Sequence, residues 1–150
     1  MNYSIFEIAN WFLAKENMTP KKLQKLTYYV QAWGHALLNR PVINDTTFEA
    51  WAHGPVSSEL YNEYRDFGWN DIPKLDNAPD IQDEKVNDLL ESVWLTYGDM
   101  SANALEAQTH VEDPWIKARR KAKAEEGDRC NEIISDTDMR EFYLSIYSGD

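Results

Sequence analysis

One cysteine, Cys130, is all the thiol this chain has. That excludes an intrachain disulfide and any CxxC redox or cysteine-rich zinc pattern, and it points to a reducing compartment. Long apolar runs are also missing. No window approaches eighteen apolar residues, and the first residues carry neither the basic segment nor the apolar stretch of a signal peptide. The expectation is a cytoplasmic protein with no membrane partner. Histidine is scarce: His35, His53 and His110 come without an HExxH motif, and there is no Gly-rich phosphate loop. Positive charge is short too, with 15 Lys and Arg against 26 Asp and Glu, a net −11. Residues 59–91 alone hold ten acids and three bases. A nucleic-acid partner is therefore not expected, because phosphate neutralisation needs clustered lysine and arginine. Such a field either attracts a basic protein partner or simply keeps the chain dissolved.

What the chain does have is aromatic mass: six Trp, eight Tyr and five Phe in 150 residues. Each such side chain removes about 150–250 Å² from water when buried. A domain of this length buries roughly 70% of its unfolded surface, so it needs no metal or disulfide to hold together. Residues 1–150 read as a single domain, without repeat, low-complexity tract or linker. Ser4-Ile5-Phe6-Glu7 is a capping box opening a first helix to about Lys15. Thr19-Pro20 starts a long helix ending near Asn39 before Pro41. Residues 42–52 suggest a short extended piece or hairpin. Gly54-Pro55 reads as the start of a third helix, stopping at Gly68, followed by a surface loop over 69–82. Asp83, Ser101, Asp113-Pro114 and Ser135 then open four more helices. The expected fold is all-α, a compact bundle of six to seven helices.

The long helix carries the most information. Leu23, Leu26, Val30, Trp33 and Leu37 draw one apolar stripe. Lys21, Lys22 and Lys25, however, crowd the positive end of its dipole, and Lys21 faces Lys25 at i, i+4. A fold has no need of that placement. Either acids elsewhere neutralise these lysines, or something else uses them. The later basic run Arg119, Arg120, Lys121 and Lys123 is explained by the negative end of its own helix.

Three blocks carry a resemblance: MTPKKLQKLTYYVQAW from Met18, Phe48-Glu49-Ala50-Trp51-Ala52-His53-Gly54-Pro55-Val56, and Thr109-His110-Val111-Glu112-Asp113-Pro114-Trp115. In order and spacing they resemble the Panacea antitoxin domain, the family of SocA-like antitoxins and phage-associated GepA-like proteins, over roughly residues 5–147. The resemblance implies an all-α protein that binds and neutralises a toxin encoded beside it, with no chemistry and no cofactor of its own. For SocA-type members it also implies delivery of the toxin to a ClpXP-type protease. The expected partner-binding residues are Lys21, Lys22 and Lys25, the turn formed by Trp51, His53, Gly54 and Pro55, and Trp69, which follows Gly68 where no helical stripe needs it.

Each of these has a plainer reading. The His53-Gly54-Pro55 turn serves equally to fix the angle of the next helix, and Trp69 folds back onto its own domain. The competing function is a metal-assisted hydrolase around His53 and His110, with Glu112 and Asp113 nearby in sequence. Against it, no second histidine lies within reach of His110 on the same helix, and a histidine at a helix end commonly bonds the last carbonyls. Cys130 has no neighbouring histidine to activate it.

Overall fold

Every residue from Leu23 to Ala32 is buried, so the long helix is enclosed around its whole circumference. This helix, α2 (Pro20–Leu37), is the axis of the fold in the computed structural model, which describes residues 2–149. Around it pack α1 (Ile5–Leu13), α3 (Ser58–Tyr64), α4 (Glu84–Tyr97), α5 (Ala102–His110) and α7 (Asp136–Ser148), while α6 (Asp113–Lys121) bridges α5 and α7. Seven α-helices among the described residues bear out the all-α expectation, and no described helix is long and apolar enough to cross a membrane.

An enclosed helix must be apolar all round or satisfy its buried polar groups. α2 takes the second route. Gln31 donates to the Ile43 carbonyl (3.0 Å) and accepts from the N–H groups of Val42 (3.1 Å) and Ile43 (2.9 Å). Gln24, seven residues earlier on the same face, donates to the Ser57 carbonyl and accepts from the Ser57 N–H, both at 2.9 Å. Each glutamine amide thus stands in for a neighbouring strand. The single apolar stripe expected for this helix is too narrow a description, and Leu37, its last member, is exposed.

The helix starts fall where the capping residues put them. Ser4 and Glu7 form the capping box of α1, and Thr19, Asp83, Ser101 and Ser135 accept backbone N–H groups at the heads of α2, α4, α5 and α7. The short hairpin expected near residues 42–52 is present, shifted toward the C-terminus, because the start of that stretch is engaged elsewhere. Val42 and Asn44 bond to Tyr3, and Asp45 accepts from Ser4 and Ile5 at the head of α1. The hairpin lies further on, as β1 (Glu49–Trp51) and β2 (Gly54–Val56), with Trp51 opposite Gly54 and a two-residue turn at Ala52-His53.

Gly54-Pro55 accordingly does not open α3. Pro55 sits in the strand opposite Ala50, whose N–H is directed to the Glu132 carbonyl, so proline's missing donor costs nothing there. α3 begins three residues later, capped by Ser57, and runs into a 3-10 turn at Arg65–Phe67. The aromatic groups meet beside α2. Tyr29 stacks on Tyr97 with centroids 4.0 Å apart, Tyr28 packs edge-on to Phe48 and Tyr143, and Trp33 donates to the Tyr97 hydroxyl.

Candidate functional site

The three lysines at the head of α2 have three different fates. Lys21 pairs with Glu106 of α5 at 2.7 Å and donates to Asn103. Lys22 reaches the opposite way. It donates to the Gly98 carbonyl at the end of α4 (2.7 Å) and pairs with Glu16 (3.1 Å), so it neutralises the negative end of another helix. Lys25 turns inward and is 1% exposed. Its ammonium donates to the Pro55 carbonyl at 3.1 Å, and among the described residues no carboxylate lies within 4 Å of it. Burial, reinforced by the charge of Lys21 and opposed by that of Glu106, pushes its pKa down to about 7. Of the three lysines expected as charged contacts, Lys25 is the one that reaches open space only through a pocket.

Gly54 makes this placement possible. Its φ is +110°, and a Cβ there would lie 2.7 Å from Lys25 Cε. Only glycine tolerates both the dihedral and the close approach of the lysine stem. Gln24 and Lys25, consecutive on α2, thus clamp consecutive stretches of one strand end, at Ser57 and Pro55.

Lys25 forms part of the floor of a pocket of about 400 Å³ between α2, the hairpin, α3 and the 3-10 turn. Lys21, Trp51, His53 and Trp69 also line it, so five of the eight expected contact residues converge on one cavity. Gly54 and Pro55 lie behind Lys25, and Lys22 faces elsewhere. Trp69 is 77% exposed at the rim, placed there by Gly68, whose left-handed φ of +56° turns the chain outward. The apolar wall comes from Val56, Leu60, Tyr61 and Tyr64, with Trp51 and Tyr61 rings 5.0 Å apart. Of these, Leu60, Tyr61 and Tyr64 were assigned to a helix in the sequence but not to a site. What hid them was their ordinary helical spacing.

Glu106 is the other residue the sequence did not single out. It takes Lys21 at 2.7 Å and His53 Nδ1 at 3.1 Å on the same oxygen. Partial burial works against its charge, but the hydrogen bond and charge of Lys21, with the charges of His53 and His110, hold its pKa below the usual range.

The third sequence block has a structural explanation of its own. Glu112 is 4% exposed and accepts from Tyr29 and Tyr143, both at 2.8 Å, and from Gln108 at 3.1 Å. Burial raises its pKa, and those three donors limit the rise. Trp115 donates to the Trp51 carbonyl at 2.8 Å and stacks on His110 with centroids 3.9 Å apart. Arg119, in the last turn of α6 as the sequence indicates, is also buried. It donates to the carbonyls of Ala50, Glu125 and Asp128, tying β1 to the loop after α6.

Comparison with known proteins gives the family. A family model described as "Antitoxin SocA-like, Panacea domain" matches residues 23–116. The chain belongs to that family. The match spans the Gln24–Lys25 clamp, the hairpin and the Glu112–Trp115 block, a narrower stretch than residues 5–147. This Panacea chain is also 35% identical over 107 residues to Antitoxin SocA of Caulobacter vibrioides (strain NA1000 / CB15N), covering 62% of the chain. It spans about half of that relative's length, 55%. No solved structure matches it.

Within the Panacea domain, no group of three or more His, Cys, Asp or Glu side chains among the described residues is arranged to hold a metal ion. His53 is committed to Glu106, and His110 to its stack on Trp115, with Nε2 buried and lacking a hydrogen-bond partner. The hydrolase alternative gains no geometric support from either ring.

Proposed function

We propose that this chain is an antitoxin that acts in the cytoplasm, neutralising a cognate protein toxin by direct, stoichiometric binding. The family and the SocA relative support the antitoxin role in general. The pocket at the head of α2 supports the choice of surface, because Lys21, Trp51, His53 and Trp69 meet there around an apolar wall. Protein interfaces of this kind bury roughly 1,200–2,000 Å² and depend on a few aromatic or charged anchors seated in such depressions. Lys25 forms part of the pocket floor, and Gly54 and Pro55 act from behind by holding it and the hairpin in place. In this reading the working part is a rigid surface and no substrate is turned over.

The test is expression of the reading frame beside the gene, alone and together with it. Toxicity that is relieved by co-expression, with both proteins recovered intact in one complex, supports the proposal. Relief that requires destruction of the toxin by a ClpXP-type protease replaces sequestration with delivery. A neighbour that is harmless alone, or equally toxic with and without the chain, overturns it.

A further inference from the structure

The pocket is anomalous in its charge. The chain carries a net −11, yet no carboxylate lines this cavity, while Lys21, Lys25, Arg65 and His53 do. Glu106, just outside the lining, serves Lys21 and His53 together. Among the described residues neither Lys25 nor Arg65 has a carboxylate within 4 Å. Lys25 is the sharper case. A buried ammonium has three N–H groups to satisfy, and one protein acceptor, the Pro55 carbonyl, is in place. Around these cations the wall is aromatic and aliphatic.

We infer that the pocket takes an acidic segment of a protein partner, its carboxylate meeting Lys25 and an adjacent aromatic or aliphatic side chain packing against Trp51, Tyr61 and Tyr64. This deepens the binding reading above and rests on it. Two observations favour a polypeptide over a small anion. A second depression of about 520 Å³ shares Trp51, His53 and Val56 with the first and runs past Glu49 toward Arg129, so a continuous surface is offered across the hairpin. The α2 terminus at the pocket begins with Pro20, which has no N–H to offer a phosphate.

Binding carries a proton signature. Lys25 has its pKa pushed down to about 7 by burial and by Lys21 on its own helix, with Glu106 of α5 opposing. His110 of α5, His53 of the hairpin turn, and Tyr61, Tyr64 and Arg65 from the far wall of the pocket are the other titratable or charged groups around it. A carboxylate brought into contact favours the charged amine and raises its pKa. Above pH 7 the complex therefore takes up a proton, and affinity falls as pH rises from about 7 toward 10.

The experiment pans phage-displayed random dodecapeptides on the full chain and measures synthetic winners by calorimetry against wild type, Lys25→Met and Trp69→Ala. Enriched peptides should pair Asp or Glu with an aromatic or aliphatic residue. Each variant should weaken binding by about tenfold or more, and titrations at pH 8 in two buffers should show proton uptake. Trp69 is exposed, so its variant reports on binding even if Lys25→Met fails to fold. Winners without acids, unchanged affinity for folded Lys25→Met or for Trp69→Ala, or binding of ADP or inorganic phosphate where no peptide binds would each overturn the inference. Toxin neutralisation without acid-bearing winners sinks this inference and spares the antitoxin reading; the reverse result sinks the other.

Discussion

Lys25 Nζ lies 3.1 Å from the Pro55 carbonyl and, through the neighbouring Gln24, the same turn of helix grips Ser57 with two bonds of 2.9 Å. The helix and the hairpin, thirty residues apart in sequence, are thereby locked at one angle. The pocket exists because of that lock, and its weak points are specific.

Gly54→Ala attacks the lock directly. The new methyl group meets Lys25 Cε at 2.7 Å with the backbone held at φ +110°. Left-handed strain and overpacking together cost about 3 kcal/mol. For a domain of this size that lowers the melting temperature by on the order of 10 °C, which thermal circular dichroism measures. Gly127→Ala has φ +82° but open space around it, so it carries the dihedral cost alone and a smaller loss is expected.

Lys25→Met should make the free protein more stable near neutrality. The folded pKa, about 7, lies below the unfolded value of 10.5, so the folded state binds fewer protons between those limits. Its destabilising effect is complete below pH 7 and relieved as pH rises toward 10.5. Removing the amine should raise the urea midpoint at pH 6 and flatten the rise in stability between pH 7 and 10. A variant less stable than wild type at pH 6, or with an unchanged pH profile, contradicts the burial argument.

Glu112 separates loss of charge from loss of hydrogen bonds. Glu112→Gln keeps an oxygen for Tyr29 and Tyr143 and removes a buried charge, so its effect should stay within about 1 kcal/mol. Glu112→Ala leaves two buried hydroxyls without their acceptor and costs about 3 kcal/mol. Urea titration of the pair at pH 7 checks the difference. The carboxyl's pKa is raised by burial, so its unfavourable effect is full above the folded value. Lowering the pH toward the ordinary glutamate range relieves it and narrows the gap between wild type and Glu112→Gln.

His110→Phe preserves the stack on Trp115 and removes a buried nitrogen that bonds to nothing. Stability should be unchanged within about 0.5 kcal/mol or improved. Toxin binding should survive. Loss of all function with the fold intact would return His110 to a chemical role.

Much of the fold was legible because its signals are local. Ser4, Thr19, Asp83, Ser101 and Ser135 announce helix starts through side chains that bond two or three residues ahead, and each did so. The Gly54-Pro55 pair misled for a physical reason. Proline is suited both to a first helical turn and to a strand position facing no acceptor, and only the distant Glu132 carbonyl, which takes the Ala50 N–H, decides between them. The burial of Lys25 and Arg119 escaped the sequence for a similar reason. Their carbonyl acceptors, on Pro55 and Ala50, are supplied by tertiary structure, and periodicity contains no trace of them. The site was half visible. Lys21, Trp51, His53 and Trp69 stood out as residues the fold did not need, whereas Tyr61 and Tyr64 were hidden inside an ordinary helical pattern.

The surface assigned to the toxin is tested most directly by three variants in one neutralisation assay with the neighbouring gene's product: Trp69→Ala, Lys21→Ser and Lys22→Ser. Trp69 and Lys21 line the pocket while Lys22 points to the end of α4. The first two should lose growth rescue and co-purification with the toxin while remaining folded, and Lys22→Ser should keep both. Full rescue by Trp69→Ala and Lys21→Ser would contradict the account and move the toxin to another face of the domain.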